Sequence, residues 1–194
     1  MILEPTFYQG EDVCQVARDL LGCTLNTNID NIHCMATIVE TEAYSERERA
    51  CHAWNGRRTA RTSTLFRAGG IAYVYLIYGM YELFNVVTNV EGIGEAVLVR
   101  AVEPVFNEEV MAVRRENPKG LYQLSSGPGK LTRAMGIGRV HNELTLQGST
   151  LWIEEGIRTA EIVETTRIGV DYAGEDAKLP WRYYLKDNPW VSKF

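Results

Sequence analysis

Two glutamates, Glu40 and Glu42, stand two residues apart in the run HCMATIVETEAY (His33–Tyr44). In an extended strand that spacing puts both carboxylates on one face with Ile38 and Tyr44, while Val39 and Ala43 take the other. A carboxylate beside apolar and aromatic groups suits general-base work or the stabilisation of developing positive charge. Further along, Arg100 falls in a row with Ala96, Leu98 and Val102 on a predicted strand, Glu95–Val102. A guanidinium in such a row requires a facing carboxylate. Asn85 shares a face with Tyr81, Leu83 and Val87, and a polar amide there requires a partner. Alternation alone gives Glu40 and Glu42 equal claim to the chemistry, and equal claim to a structural pairing with Arg100.

The other chemistry-bearing residues are aromatic and basic. IAYVYLIYGMYELFNVVTN (Ile71–Asn89) carries Tyr73, Tyr75, Tyr78 and Tyr81, four of the chain's ten tyrosines. β-branched and aromatic residues on both arms predict a hairpin folded about Tyr78-Gly79-Met80. Tyr78 then stands in water at the tip, where a large aromatic calls for a cover. A stacked nucleic-acid base is one such cover. The alternative is a core hairpin whose tyrosines send their hydroxyls to the surface. Ser125-Ser126-Gly127-Pro128-Gly129 feeds a short helix, KLTRAMGI, and free N–H groups at that junction suit a phosphate as well as an ordinary capped turn. The loop lacks the GxxxxGK[ST] pattern of a nucleotide P-loop.

These residues must be held by a fold of modest size. The chain has 194 residues, is 45 % hydrophobic and carries a formal net charge of −5. It is long enough for one domain with a sizeable core. The acidic balance argues against nonspecific coating of nucleic acid. The charge is unevenly spread, however. Gly56–Gly70 holds Arg57, Arg58, Arg61 and Arg67 without an acid, and Val110–Val140 holds six cations against Glu116 alone; an acidic protein can still present one basic face, although an ordinary solvated surface is the better reading of either run taken singly. No apolar run approaches the ~20 residues of a membrane helix, and MILEPTFYQGEDV lacks the features of a signal peptide, which predicts a cytoplasmic protein without membrane contact. Cys14, Cys23, Cys34 and Cys51 form no CxxC pair, so free thiols are expected. His33-Cys34 and Cys51-His52 place adjacent residues on opposite faces, which disfavours a metal site. No metal or cofactor is called for.

The periodicity predicts a helix over Glu11–Leu21 and strands at Cys23–Asn26 and Ile32–Tyr44. An irregular Arg-rich stretch follows, with a short helix near Ser63–Ala68. Pro104 is expected to start a helix running through Arg115. Thr150–Ile153, Ala160–Arg167 and Trp181–Leu185 read as further strands, with an irregular DYAGEDAKLP between the last two. Strands without regular βα alternation predict a single α+β domain spanning 1–194, built on a mostly antiparallel, curved sheet surrounded by helices, with a protruding hairpin.

VETEAY (Val39–Tyr44), YVYLIYGMY (Tyr73–Tyr81), LVRAVEP (Leu98–Pro104), SSGPGKL (Ser125–Leu131) and NPWVS (Asn188–Ser192), in this order, resemble the alkyladenine (3-methyladenine) DNA glycosylase family in its compact bacterial form. The resemblance runs from about Val13 to Ser192. It implies hydrolysis of the N-glycosidic bond of alkylated or deaminated purines in duplex DNA, such as 3-methyladenine, 7-methylguanine, hypoxanthine and ethenoadenine, leaving an abasic site. It also implies which glutamate acts: Glu42 matches the carboxylate that activates the attacking water. Arg100 and the backbone carbonyl of Ile168 match the groups holding that water. Tyr44, His52 and Tyr75 match the walls of the base pocket, and Asn85 matches the asparagine that excludes normal guanine. Tyr78 matches the residue that enters the duplex in place of the flipped base. Arg57, Arg58, Arg61 and Lys130 are the expected phosphate contacts, although RRTART (Arg57–Thr62) departs from the family's more usual TPRN-like run. His52 or water is the candidate proton donor for neutral bases. The resemblance further implies a monomer working at the bacterial nucleoid. Two other readings fit parts of the pattern: a glycosylase that also nicks DNA through a Lys130 Schiff base, and a non-catalytic binder of damaged nucleic acid.

Overall fold

The computed structural model describes residues 1–157 and 160–192. Eight strands make one sheet: β1 (Thr24–Ile29), β2 (Ile32–Ser45), β3 (Ala72–Ile77), β4 (Tyr81–Val87), β5 (Glu95–Phe106), β6 (Leu151–Glu154), β7 (Ile162–Thr165) and β8 (Arg182–Leu185). Their order is β3-β4-β5-β2-β1-β6, with β8 paired to both β2 and β7. Every pairing among these strands is antiparallel. The α+β expectation therefore holds. The expected envelope of helices does not. Among the described residues the α-helices are α1 (Pro5–Tyr8), α2 (Val13–Asp19), α3 (Glu108–Arg114) and α4 (Pro128–Met135), with short 3-10 turns between elements.

Local chemistry sets the ends of these elements. The Asp12 carboxylate accepts the Cys14 N–H at 2.8 Å and starts α2, and Gly22 at φ 88° turns the chain into β1. Pro128 opens α4 and Gly136 closes it at φ 76°. Pro104 is where expectation fails. It lies inside β5, opposite Ala36 and next to a register shift between Met35 and Ala36. Proline lacks the ladder N–H, so an irregular register is where a strand tolerates it. The helix begins four residues later, at Glu108.

A second irregularity in the β2–β5 pairing decides what faces the site. Ile38 pairs with Val102, Glu40 with Ala101 and Thr41 with Val99, so Val39 and Arg100 are each passed over. Bulges of this kind re-aim side chains. Ile38 joins Val39, Ala43 and Val102 in the main apolar core instead of lying beside the carboxylates. Ala72, Val74, Phe84 and Val86 carry one face of the β3–β4 hairpin into the same core. Its other face, with Tyr73 and Val87, packs against Cys51, Ala53, Leu65, Phe66 and Ala96. The hairpin is thus sandwiched at its base and bare at its tip.

Candidate active site

The register of the sheet assembles the site. Tyr73 pairs with Asn85, Asn85 with Leu98, Leu98 with Glu42, and Glu42 with Arg182, in one transverse row across β3, β4, β5, β2 and β8. A cleft of about 1020 Å³ opens above this row, and Tyr44, His52, Tyr73, Tyr75, Asn85, Leu98, Arg100 and Ile168 line it. Residues far apart in sequence thereby meet around one opening.

Glu42 lies behind the cleft wall and is fully buried. Its Oε2 accepts the Tyr44 hydroxyl at 2.7 Å and Arg100 Nη1 at 3.2 Å, and its Oε1 accepts the Ile168 backbone N–H at 2.8 Å. All three donors line the cleft. An ionised carboxylate offers about four acceptor sites, so these bonds leave roughly one, on Oε1. Glu40 is equally buried, but its partners lie elsewhere. Arg100 Nε at 3.1 Å, Arg182 Nε at 2.7 Å and the Ser192 N–H at 2.7 Å reach it, with the Ser192 hydroxyl at 3.0 Å. The guanidinium of Arg100 therefore bridges both glutamates. The neighbouring carboxylates hold its pKa above the ordinary arginine value against the opposing effect of burial. Burial, then the Glu42 charge, pushes the Tyr44 hydroxyl well above its ordinary pKa, so it stays a donor.

The aromatic walls are tied to one another. His52 stands edge-on to Tyr75 with ring centroids 4.7 Å apart, and its Nδ1 lies 3.2 Å from the Tyr73 hydroxyl. Burial, assisted by the Arg61 charge, lowers the His52 pKa to about 4, so the ring is neutral near pH 7. An imidazolium proton donor is disfavoured there. Asn85 donates its amide to the Tyr73 carbonyl at 3.1 Å, which fixes the plane of its side chain.

Tyr78 is 82 % exposed at the hairpin tip. Tyr78 and Gly79 have φ values of 53° and 70°, and the Met80 N–H bonds the Ile77 carbonyl at 3.2 Å, the signs of a type I′ turn. Across the cleft, α4 meets this hairpin closely. A Cβ on Gly129 would fall 2.9 Å from Tyr81 Cδ1, so the Ser/Gly loop and the tyrosine arm are packed as one unit.

The four expected phosphate contacts separate. Lys130 lines the cleft and bonds Gln123 Oε1 at 2.6 Å; burial and nearby Arg115 lower its pKa. Arg61 instead covers the Tyr75 ring, with Cζ 4.9 Å from its centroid, and Arg58 covers Phe66 at 4.2 Å. Arg57 is exposed on the same segment. Sequence reasoning missed Tyr172, an exposed cleft residue whose hydroxyl bonds the Ala50 carbonyl at 3.1 Å; the DYAGEDAKLP stretch around it, expected to be irregular, forms a 3-10 helix over Asp171–Lys178 broken at Gly174. Arg115, Arg133 and Arg139, three cations of the basic Val110–Val140 run, join the cleft rim. Among the described residues, no group of three His, Cys, Asp or Glu side chains could hold a metal ion, and no helix is long and apolar enough to cross a membrane.

Fold and site together define an α+β protein whose aromatic cleft suits a flat ring, set beside a buried carboxylate–arginine pair. The profile of the methylpurine-DNA glycosylase (MPG) family matches residues 6–189, and the chain belongs to that family. Relatives agree along their whole length. A protein of Clostridium botulinum is 44 % identical over 202 residues, covering 100 % of both chains. One from Methanocella arvoryzae is 47 % identical over 191 residues, covering 97 % of this chain and 95 % of its own, and one from Bacillus cereus is 46 % identical over 201 residues, covering 97 % and 98 %. All three carry the name "Putative 3-methyladenine DNA glycosylase".

Proposed function

We propose that this protein is a monofunctional DNA glycosylase that draws a damaged purine out of the duplex and hydrolyses its N-glycosidic bond, leaving an abasic site. The observation that carries the reading is the position of Glu42. Its three donors all face the aromatic cleft, and its remaining acceptor site suits a water molecule poised for attack on C1′. Glu42 takes the proton from that water and offsets the positive charge of the oxocarbenium-like transition state. Arg100 holds the carboxylate in place. The Ile168 carbonyl is the second anchor for the water, while its N–H serves Glu42 directly.

The substrates that fit this cleft best are positively charged purines such as 3-methyladenine and 7-methylguanine. They leave without protonation, which matters where His52 is neutral. Stacking a desolvated cation on electron-rich rings such as Tyr75 and Tyr44 favours it by about 1–2 kcal/mol. Arg61 must leave the Tyr75 face as the base arrives, and is then free to meet a phosphate. Hypoxanthine and ethenoadenine are neutral and draw any proton from water. Asn85, held to the Tyr73 carbonyl, screens out normal guanine by crowding its exocyclic amine. Tyr78 enters the gap left by the flipped base, and Arg57, Arg58 and Lys130 meet the backbone. The protein acts as a cytoplasmic monomer at the nucleoid.

The deciding experiment is incubation with alkylated duplex DNA and, separately, with duplex DNA carrying deaminated adenine, followed by chromatography for free 3-methyladenine and 7-methylguanine from the first and hypoxanthine from the second. Release without strand cleavage is expected. Binding to damaged duplex with no released base would establish a non-catalytic binder instead, and an adduct trapped by borohydride would establish a lysine lyase.

A further inference from the structure

One buried ion pair has no part in the chemistry described above. Arg167 and Glu48 are both nearly inaccessible, and they meet in a two-pronged contact, Nη1 to Oε1 at 2.8 Å and Nη2 to Oε2 at 2.9 Å. The same guanidinium donates to the carbonyls of Ala43 and Asp176, each at 3.0 Å. Its Cζ lies 4.8 Å from the Tyr44 ring centroid and 5.3 Å from that of Trp181. Glu48 in turn accepts the Ala50 N–H at 2.8 Å, next to the Cys51-His52 stretch of the cleft wall. A single side chain thus joins the end of β2, the loop bearing His52, and the segment leading into β8.

Two of the three donors to Glu42 are attached to this pair. The Ile168 N–H belongs to the peptide unit that begins at Arg167, so anchoring Arg167 fixes the direction of that N–H. Immediately beyond, Gly169 has φ 76°, and a Cβ placed there would meet nothing within 4 Å among the described residues. Tyr44, whose hydroxyl is the second donor, has one ring face against the Arg167 guanidinium. We infer that Glu48 and Arg167 are positioning residues for catalysis: their ion pair holds the Ile168 N–H and the Tyr44 hydroxyl on Glu42 and so keeps the carboxylate aimed at the cleft.

A purely structural purpose explains the pair poorly. Well-packed apolar side chains in place of a buried ion pair are often neutral for stability or better. Here the arginine Nε is also buried without an acceptor among the described residues, which adds a desolvation cost. What an apolar pair could not supply is a directional four-acceptor anchor beside the catalytic carboxylate.

This inference rests on Glu42 being the catalytic base, and its test separates the two. Four proteins are compared: the parent, Glu42→Gln, Glu48→Gln and the double variant Glu48→Met/Arg167→Met. For each, single-turnover release of 3-methyladenine from alkylated duplex, affinity for an abasic-site duplex and the thermal midpoint are measured. The two pair variants should lose about 10- to 100-fold in release rate while affinity stays within about threefold, the range expected when positioning alone is disturbed. A fifth protein, Arg167→Ala, should lose rate in the same way and regain part of it when methylguanidinium is added, which a general loss of stability would not produce. If the double variant fails to fold, Glu48→Gln decides, because it keeps the shape and removes only the charge. Release at the parent's rate by a folded pair variant, with Glu42→Gln inactive, overturns the positioning role. Full activity in Glu42→Gln overturns the catalytic reading beneath it.

Discussion

Glu40 and Glu42 leave β2 two residues apart, are equally buried and grip the same arginine, yet they belong to different regions. Glu40 looks toward β8 and the chain's end, where Arg182 and Ser192 use its oxygens. Glu42 looks toward the cleft, and each of its donors has one side on that opening. Neither residue type, spacing nor burial distinguishes them. What differs is whether the partners themselves border empty space. A buried carboxylate closed in by protein on every side is a structural brace. One whose partners line a cavity can still reach a ligand.

The sharpest way to break this comparison is to neutralise each glutamate in turn. Glu42→Gln should lower single-turnover base release by about 10²–10⁴-fold, the range of a lost general base, while damaged-duplex binding persists. Glu40→Gln should do the reverse. It leaves Arg100 and Arg182 sharing an uncharged partner in a buried site, and breaking such a network costs about 3–5 kcal/mol. Urea unfolding should show that loss, and release per folded molecule should stay near the parent's value. If Glu40→Gln is stable and catalytically dead, the roles are exchanged and the contrast collapses.

How far the sequence could carry this contrast is instructive. Alternation placed Glu40, Glu42 and Arg100 together, and the tyrosine hairpin emerged with its turn at Tyr78-Gly79. Both are short-range consequences of strand geometry. The choice between the glutamates was not available from alternation, because it depends on where β8 and Ser192 dock, more than a hundred residues away. The family resemblance made that choice. The passed-over residues Val39 and Arg100 were invisible for a similar reason: a bulge is a property of two strands in register, and periodicity describes one. Pro104 misled because proline starts helices and also sits at strand irregularities, and only the pairing with Ala36 tells which. Tyr172 gave no signal at all, lying in a stretch with neither strand nor helix period.

The exposed tip tests the cleft side from another direction. Tyr78 has almost no protein contact to lose, so Tyr78→Ala should leave the thermal midpoint unchanged. If the ring fills the gap left by a flipped base, affinity for a damaged duplex should fall by about 1–3 kcal/mol, the worth of one aromatic–base stack. Unchanged affinity, read by anisotropy with a labelled duplex, would confine the nucleic-acid surface to the cleft itself.

The smallest effect concerns His52, and it separates the two regions by pH. Burial lowers its pKa in the folded protein to about 4, against an ordinary value of 6.5. Below pH 6.5 the unfolded chain therefore takes up a proton that the folded ring still refuses. The stability tied to neutral His52 is complete above pH 6.5, declines as pH falls, and is gone once pH passes below about 4. His52→Gln lacks this contribution. Urea midpoints at pH 7 and pH 5 should thus fall more for the parent than for the variant, with any carboxylate effects common to both. The Glu40 side contains no such ring, so Glu40→Gln should leave this difference intact. Should parent and His52→Gln lose the same stability between the two pH values, the imidazole is not held neutral. The cleft wall would then become cationic below the ordinary histidine value of 6.5, and release of positively charged bases would fall with it as the pH drops.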